Sequence, residues 1–456
     1  MVKFMILETA SGKSAGTSGQ NGLRSARQRH PLGPLAIVLL WLLPLAGCGG
    51  GATHSLTPTS QPTTIAFNSR RAVDGSAAAN TNGTQNIWVM KSDGTGATPL
   101  TKLTASQADV VAAAWSPDGS KIAFESFRAL DGSDAPSTNN TLNIWAMKSD
   151  GTGATPLTRL TALNAHSFGP VWSPDSSKIA FAALRALDGS DAVGTENIWV
   201  VNADGTGAAP LTKLTASTAT SSGPVWSPDG SKIAFLSERA LDGSNAGNTN
   251  NTSNIWAMKS DGTGATPLTK LTANGALSFF SVWSPDGGKI AFLSERALDG
   301  SDAENTNSTE NIWVIKADGS GAAPLTKLTA FNARTGSPVW SPDGSKIVFD
   351  AQRALDGRDA ANINSVSNIW VMSADGSSAT PLTRLTVLNA DSFDPVWSLD
   401  GSKIAFDSQR ALDGSAAANT NSVSNIWVMS PDGSAAVPLT KLTALNSDSF
   451  SPEWKP

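Results

Sequence analysis

The chain has few of the residues that carry nucleophilic, redox or metal chemistry. Its 456 residues include no tyrosine, one cysteine and three histidines. A single cysteine, Cys48, excludes a disulfide within the chain and a thiolate metal cluster. His166 is the only histidine after residue 62, and we expect it to be a solvated loop residue. A Ser-His-Asp triad or a histidine metal site needs histidines that converge. We therefore predict no metal and no cofactor.

Basic residues are concentrated in the first 47 positions. Five of the 33 Lys and Arg residues lie there, with one of the 38 acidic residues. Removing that segment leaves 28 basic and 37 acidic residues, a net charge near −9. Nucleic-acid binding needs clustered Lys and Arg to neutralise phosphates. We therefore predict no nucleic-acid partner.

The one long apolar run lies at positions 35–45, after a basic region that contains Arg24, Arg27 and Arg29. It is short for a membrane span. A basic region, a short apolar segment and small residues are typical of a secretory signal. We predict a signal peptide over residues 1–47; an anchor helix that is not cleaved is the alternative.

Cys48 follows this run directly, in Leu-Ala-Gly-Cys. This string resembles the lipobox of bacterial lipoproteins, although a chance cysteine is the alternative. The resemblance implies cleavage before Cys48, its lipidation, and a place in the cell envelope, with the outer membrane favoured by Gly49. Residues 48–62 lack an apolar period and predict a flexible tether. The membrane is thus expected as a partner only through the lipid.

The tryptophans in the rest of the chain are regularly spaced. They form two series, and in each series successive members are 57, 54, 57, 57, 57 and 57 residues apart. One series lies in Asn-Ile-Trp: Trp88, Trp145, Trp199, Trp256, Trp313, Trp370 and Trp427. The other lies in or near Val-Trp-Ser-Pro-Asp-Gly: Trp115, Trp172, Trp226, Trp283, Trp340, Trp397 and Trp454. A repeat of this length predicts a propeller or an array.

Each repeat contains four short apolar segments separated by turn signals. In one copy they are 170–173, 178–181, 197–201 and 211–215. Four antiparallel strands repeated seven times predict an all-β, seven-bladed β-propeller over residues 63–456. The chain enters on a second strand and leaves on a first strand. We therefore expect the C-terminal strand to pair with the N-terminal blade and close the ring; an open array is the alternative.

The unit Trp-Ser-Pro-Asp-Gly-Ser-Lys-Ile-Ala-Phe, seen at 115–124 and 226–235, resembles the repeat of TolB-type propellers. The resemblance covers residues 63–456 and implies the same fold. TolB pairs six blades with an α/β domain, whereas these residues form seven repeats without one. A role in the Tol–Pal system therefore does not follow. Propellers of prolyl oligopeptidases look similar too, but they precede a hydrolase domain.

A long loop after the second strand carries an arginine and, three residues later, an aspartate in every repeat. The arginines are Arg71, Arg128, Arg185, Arg239, Arg296, Arg353 and Arg410. The aspartates are Asp74, Asp131, Asp188, Asp242, Asp299, Asp356 and Asp413. Oxygen-rich loops suit Ca²⁺, but the Asp-x-Asp-x-Asp-Gly spacing is absent. Presence in all seven repeats favours a turn braced by an arginine–carboxylate pair.

The connections between blades vary most, and function concentrates on variable loops above a rigid scaffold. They lead into the innermost strands and should surround the channel mouth. The predicted partner-binding residues are Phe168, Phe279, Phe280, Phe331, Arg334, Phe393, Asp394 and Phe450. Exposed aromatics there would be anchors for a partner. The alternative is that these phenylalanines cap the blade cores.

The function that we predict is a monomeric, non-catalytic, lipid-anchored scaffold that binds a protein or peptide of the bacterial cell envelope. One rival is a polysaccharide lyase or hydrolase on a propeller, which needs a cluster of catalytic carboxylates or histidines. Another is a Ca²⁺-dependent glycan-binding module. No catalytic residue is predicted.

The lipid anchor gives a first testable prediction. Cys48→Ser should abolish acylation and leave the signal peptide uncleaved, because the thiol is the site of the lipid. Mass spectrometry of the protein purified from membranes measures both. Normal cleavage and acylation of the variant would exclude Cys48 as the modified residue.

Overall fold

The computed structural model describes residues 63–456. The predicted signal peptide at 1–47, Cys48 and the tether at 48–62 lie outside the described residues, so they stay predictions. The 28 strands of the described part form seven four-stranded antiparallel sheets. Within it, no helix is long and apolar enough to cross a membrane.

Each sheet is one blade, and its strands follow one another in the chain except at the closure. The first blade contains β1 Thr64–Ser69, β2 Asn86–Lys91, β3 Thr98–Pro99 and the C-terminal β28 Ser449–Trp454. The second contains β4 Val110–Trp115, β5 Lys121–Ser126, β6 Asn143–Lys148 and β7 Thr155–Pro156. The third contains β8 Ser167–Trp172, β9 Lys178–Ala183, β10 Asn197–Asn202 and β11 Ala209–Pro210.

The remaining blades repeat this order. The fourth contains β12 Ser221–Trp226, β13 Lys232–Ser237, β14 Asn254–Lys259 and β15 Thr266–Pro267. The fifth contains β16 Ser278–Trp283, β17 Lys289–Ser294, β18 Asn311–Lys316 and β19 Ala323–Pro324. The sixth contains β20 Thr335–Trp340, β21 Lys346–Ala351, β22 Asn368–Ser373 and β23 Thr380–Pro381. The seventh contains β24 Ser392–Trp397, β25 Ile404–Ser408, β26 Asn425–Met429 and β27 Val437–Pro438.

Six of the seven long loops contain a single 3₁₀ turn, and the third blade's loop does not. The turns are Thr81–Gly83, Thr138–Asn140, Thr249–Asn251, Thr306–Ser308, Ile363–Ser365 and Thr420–Ser422.

The core lies between blades as well as within them. In one cluster Ala66 and Ile87 of the first blade pack against Trp115, Phe124 and Trp145 of the second. Within a blade the second-strand phenylalanine lies opposite the Asn-Ile-Trp tryptophan, as Phe124 does opposite Trp145. Large aromatic side chains of this kind dominate the energetics of a core. The two tryptophan series therefore hold neighbouring blades together.

The fourth strand differs from its prediction. Residues 211–215 were predicted as a strand, but β11 is only Ala209–Pro210. Proline cannot donate to the ladder and is confined to strand edges. Beyond it, the side chain of Asn197 replaces the ladder: its Oδ1 accepts from Leu214 N at 2.8 Å, and its Nδ2 donates to Leu214 O at 2.9 Å. The asparagine of Asn-Ile-Trp thus fixes the path of the blade-to-blade connection.

The first strand is longer than predicted and contains a β-bulge. In β8 the register shifts between Phe168 and Val171, and the same shift occurs in every blade. The bulge brings residues with positive φ into the strand: Ala112, Gly169, Gly223, Phe280, Asp394 and Ser451. Bulges re-aim side chains and are frequent at the rims of barrels and at functional sites.

The ring is closed by the last strand, as predicted. β28 pairs antiparallel with β1, with Trp454 opposite Ile65 and Ser449 opposite Ser69. The first strands of neighbouring blades contact one another all around: β28 with β4, then β8, β12, β16, β20, β24 and back to β28. These strands therefore surround the central axis.

Closure yields a second prediction. Deleting residues 446–456 removes Trp454, which is 4% exposed and packs in the core that the first and seventh blades share. Losing a buried tryptophan alone costs about 3–5 kcal/mol, and the bare edge of β1 invites aggregation. Thermal unfolding and light scattering should show a lower melting temperature and association. Removal of Pro456 alone is the control, and a truncated chain that stays monodisperse and equally stable would contradict closure.

Candidate functional site on the long-loop face

The two ends of the propeller differ in kind. At one end, the short-turn face, six of the seven blades repeat the same Ser-Pro/Leu-Asp turn between their first two strands; in the first blade these two strands are the chain's last and first. In the second blade Asp118 accepts from Ser116 Oγ at 2.6 Å and from Ser120 N at 3.0 Å. The other end, the long-loop face, carries the loop between the second and third strands and the connection between blades. Variation is concentrated on the long-loop face.

An arginine braces each long loop, but not in the predicted way. Arg128 stacks on Trp145, with its guanidinium carbon 4.8 Å from the ring centroid, and donates to the carbonyl of Gly132. The stacking recurs in all seven blades. The predicted arginine–carboxylate pair is therefore wrong: the partners are a carbonyl and an indole face, a cation–π contact.

The loop aspartates complete turns. Asp131 Oδ1 accepts from Ser133 N at 2.8 Å, and the hydrogen bonds from Ser133 lower the pKa of this exposed carboxyl. Three residues on, Asp134 accepts from Thr104 N at 2.9 Å and so ties the loop to the incoming connection. The first and seventh blades have Ala77 and Ala416 instead. Residues 63–456 contain no group of three or more His, Cys, Asp or Glu that could hold a metal ion.

His166 is not the solvated residue that the sequence suggested. It is half-buried, and its Nδ1 accepts from Leu142 N at 3.1 Å. Burial lowers the pKa of its imidazole. In the same position of other blades, Asp109, Asp391 and Asp448 accept from a backbone N–H in the same way. The histidine is thus a cap of the long loop.

Five of the predicted phenylalanines lie in the first strands and are half-buried: Phe168, Phe279, Phe280, Phe393 and Phe450. Phe279 and Phe280 meet edge to face, with ring centroids 5.9 Å apart, and pack against the core between the fifth and sixth blades. Phe450 lies under Arg70, whose guanidinium carbon is 5.6 Å from the ring centroid. These phenylalanines therefore cover part of the core and leave part of each ring accessible.

Phe331 and Arg334 are exposed, but they differ in position. Arg334 directly precedes β20 and so lies at the mouth. Phe331 is at the tip of the connection and is 71% exposed. The sequence did not single out the apolar residues at the same tip in other blades: Leu163, Leu388 and Leu445, all at least 60% exposed.

Asp394 belongs to an acidic group that the sequence analysis missed. It occupies the bulge position of β24, and its charge helps to raise the pKa of Asp350 and Asp407. Loss of hydration is the larger cause and brings the pKa of Asp350 to about 7. Arg334 acts in the opposite sense on Asp350. The sequence does contain a signal for these buried carboxyls: Asp350 and Asp407 each directly follow the phenylalanine of the second strand. Glu125 occupies the same position in its blade.

Two other buried carboxyls bridge neighbouring blades. Glu453 of β28 accepts from Trp115 N at 3.1 Å, and Glu125 of β5 accepts from Gly169 N at 2.6 Å. Burial raises the pKa of Glu453 to about 8 and that of Glu125 to about 7. These groups are therefore protonated more readily in the folded chain than in the unfolded chain.

Comparisons with known proteins agree with this fold. No family model matches the chain. TolB of Anaeromyxobacter sp. is 34% identical over 113 residues, which cover 25% of this chain and 20% of TolB. The "Uncharacterized peptidase YuxL" of Bacillus subtilis is 28% identical over 205 residues, 40% of this chain and 29% of that protein. The chain carries TolB-type propeller repeats, and it spans less than a third of the length of these two relatives.

Among solved structures, the propeller domain of the Trilobed protease from Pyrococcus furiosus has a TM-score of 0.52 at 11% identity, covering 84% of this chain and 96% of that one. A puromycin-hydrolyzing peptidase of Mycobacterium tuberculosis also has a TM-score of 0.52 at 11% identity, covering 84% and 53%. These likenesses show the fold alone. The Pyrococcus propeller is described as having an open velcro topology, whereas β28 closes the present ring.

The raised pKa values of the carboxyls that bridge neighbouring blades lead us to predict that the stability of the fold depends on pH. An acid whose folded pKa is raised stabilises the fold below its unfolded pKa, and this contribution is lost as the pH rises through the folded pKa. Between about pH 4.5 and pH 8, Glu453 should therefore lower the free energy of unfolding as the pH rises. Denaturant titrations should show lower stability at pH 8 than at pH 5, and a smaller difference for Glu453→Gln. An unchanged pH dependence in this variant would contradict the assignment.

Proposed function

We propose that the protein is a non-catalytic, lipid-anchored scaffold of the bacterial cell envelope, and that its long-loop face binds a protein or peptide at the mouth of the central channel. One observation carries the proposal. The rest of each blade repeats nearly unchanged, whereas the bulged ends of the first strands differ from blade to blade. Binding specificity is expected in the segments that vary from blade to blade, because the rest of each blade is a repeated scaffold.

The side chains at the mouth suit a protein partner. Phe279 and Phe280 are held edge to face with part of their surface free. Aromatic residues and arginine are the commonest anchors of protein interfaces. Arg334 is exposed, and Asp394 supplies a carboxylate beside the channel. Apolar side chains surrounded by charged groups of both signs are typical of a surface that binds another protein.

Backbone strain at the mouth supports a binding role. Phe280 has φ 51°, a left-handed conformation that is uncommon for a bulky residue. Strain of this kind clusters at binding and active sites and persists where the surroundings enforce it. The equivalent residues in the third and fourth blades are Gly169 and Gly223, which adopt positive φ without cost. The fifth blade thus keeps a phenylalanine where glycine fits better.

The envelope location rests on the sequence. The lipobox-like string before Cys48 and the similarity of the repeats to TolB both support it. We propose the periplasmic side of the outer membrane as the site of anchoring, with the tether at 48–62 holding the propeller off the lipid surface. The propeller is proposed to act as a monomer.

The binding site is tested by giving the fifth blade the residues of the fourth. Phe279→Ser with Phe280→Gly copies Ser222-Gly223, a pair that already fits the bulge. The partner is captured from solubilised envelope with the wild-type protein, and its affinity is then measured. The double variant should lose about 2 kcal/mol or more of binding free energy.

Stability is measured on the same variant, with Val437→Ser as the control because Val437 is exposed on an outer strand, β27. A folded variant with reduced affinity supports the site. Unchanged affinity would contradict it. Unfolding of the variant would show that the two rings only cap the core.

A second candidate function, a propeller-based polysaccharide hydrolase or lyase, is favoured by one observation: Asp394 is close enough to raise the pKa of the buried carboxyls of Asp350 and Asp407. Paired carboxyls with different pKa values can divide acid and base roles. If this function is correct, the protein should cleave oligogalacturonate or another polysaccharide, and Asp394→Asn should abolish cleavage. If wild type and variant both leave a panel of polysaccharides intact, the enzyme candidate is excluded.

A further inference from the structure

The long loop of the third blade differs from the other six. It has three residues fewer than the loop of the second blade, and it is the one long loop in the described chain without a 3₁₀ turn. It also lacks the isolated β-bridge that the loop arginine of each other blade forms with the residue eight positions later. The shortened path depends on Gly194, since a Cβ there would be 2.3 Å from the carbonyl oxygen of Arg185.

The shortened loop borders a pocket of about 510 Å³ that is open to solvent, which we call the third-blade cavity. A volume of this size is within the usual range for small-molecule sites. Leu184, Leu187, Val193 and Leu214 form apolar walls, and Glu196 lies at the wall as well. The cavity therefore combines an apolar surface with a single acidic group.

Glu196 is incompletely paired. The residue is 6% exposed, and its Oε1 is buried without a hydrogen-bond partner among the residues that the structure describes. The side chain of Ser222 donates to this carboxyl. Burial, and next the charge of Glu238, raise the pKa of Glu196 to about 8. A buried polar atom without a partner is costly and calls for an explanation.

The missing turn also removes a hydrogen-bond donor. In five other blades an asparagine of the long loop donates to the carbonyl of the connection leucine, as Asn248 Nδ2 does to Leu271 O at 2.8 Å. In the third blade the equivalent carbonyl, Leu214 O, accepts from Asn197 Nδ2 at 2.9 Å. The site thus has an unpaired carboxyl oxygen and a carbonyl that has lost one donor.

The cavity becomes negatively charged where Glu196 is ionised, above its pKa of about 8. Arg185 lines it, but its guanidinium already stacks on Trp199, 4.6 Å from the ring centroid, and donates to the carbonyl of Gly189. Asp188 and Asp191 also act on Arg185. Arg185 is therefore already engaged, and Glu238 adds a second acidic group beside Glu196. A ligand that donates hydrogen bonds and carries a positive charge would pair with the ionised Glu196 and would supply the donor that Leu214 O lacks.

We propose that the third-blade cavity binds an alkylammonium group, whose nitrogen donates to Glu196 and to Leu214 O while its carbon chain lies between Leu184, Leu187 and Val193. This site is separate from the proposed partner surface at the channel mouth. The ammonium group is supplied either by a free amine or by a lysine side chain.

The test titrates the purified propeller with n-butylammonium at pH 9, where Glu196 is ionised and the amine is still charged, using calorimetry and thermal unfolding, since a ligand of the folded state raises the melting temperature. n-Butanol is the uncharged comparison and should bind at least about tenfold more weakly, because hydrogen bonds to charged groups are the stronger ones. A second titration with N-acetyl-lysine methylamide distinguishes the sources: binding of both supports a lysine side chain, and binding of butylammonium alone supports a small amine.

Two variants make the site specific. Glu196→Gln keeps the shape and should weaken butylammonium about tenfold or more. Replacing residues 193–196 with the seven-residue segment 136–142 of the second blade restores the turn and should abolish binding by filling the cavity. Glu125→Gln, a buried carboxyl at another blade seam, is the control and should bind as the wild type does. The proposal is overturned if butylammonium does not bind, if butanol binds equally well, or if Glu196→Gln binds butylammonium unchanged.

Discussion

The packing of each blade against the next is the interaction on which the rest of the structure depends. The second tryptophan of a repeat lies at the seam: Trp172 Nε1 donates to Ala114 O at 3.0 Å, and Trp283 Nε1 donates to Val225 O at 3.2 Å, each from one blade to the previous one. Seven seams of similar shape must close into one ring. Uniform seams therefore require nearly uniform blades.

This constraint separates structural from functional positions. The clamp of Asn197, the stacking of Arg128 on Trp145 and the Asp118 turn serve the seams or the loops, and they recur around the ring. The bulge positions of the first strands differ from blade to blade. They include the bulge residues Phe280 and Asp394, where sister blades have glycine, alanine or serine. We therefore expect binding at the positions that differ from blade to blade.

The sequence predicted the architecture well because its signals are local and periodic. Tryptophan spacing gives the number of blades, and the order of the end strands gives the closure by β28. The short fourth strand was missed because a side chain, that of Asn197, takes over the ladder after Pro210. The three-residue deletion was visible, but its consequence, a cavity with Glu196 in its wall, depends on packing.

The site was harder to predict for a physical reason. The interaction of Asp350 with Asp394 depends on which strands adjoin at a seam, and that is known only after the ring is assembled. The arginine–carboxylate brace was wrong because Arg71 and Asp74 are close in sequence but bond elsewhere: Arg71 donates to Gly75 O, and Asp74 accepts from Ser76 N at 2.8 Å. Proximity along a loop does not fix the partner.

The central claim is that the variable mouth of the long-loop face is the binding surface. Hydrogen–deuterium exchange on the complex with the envelope partner tests it most directly, because protection reports which backbone amides are covered. The account predicts new protection in the bulged strand ends, 277–282 and 391–396, with unchanged exchange in the turns at 116–120 and 284–288. Protection confined to those turns of the short-turn face would contradict it.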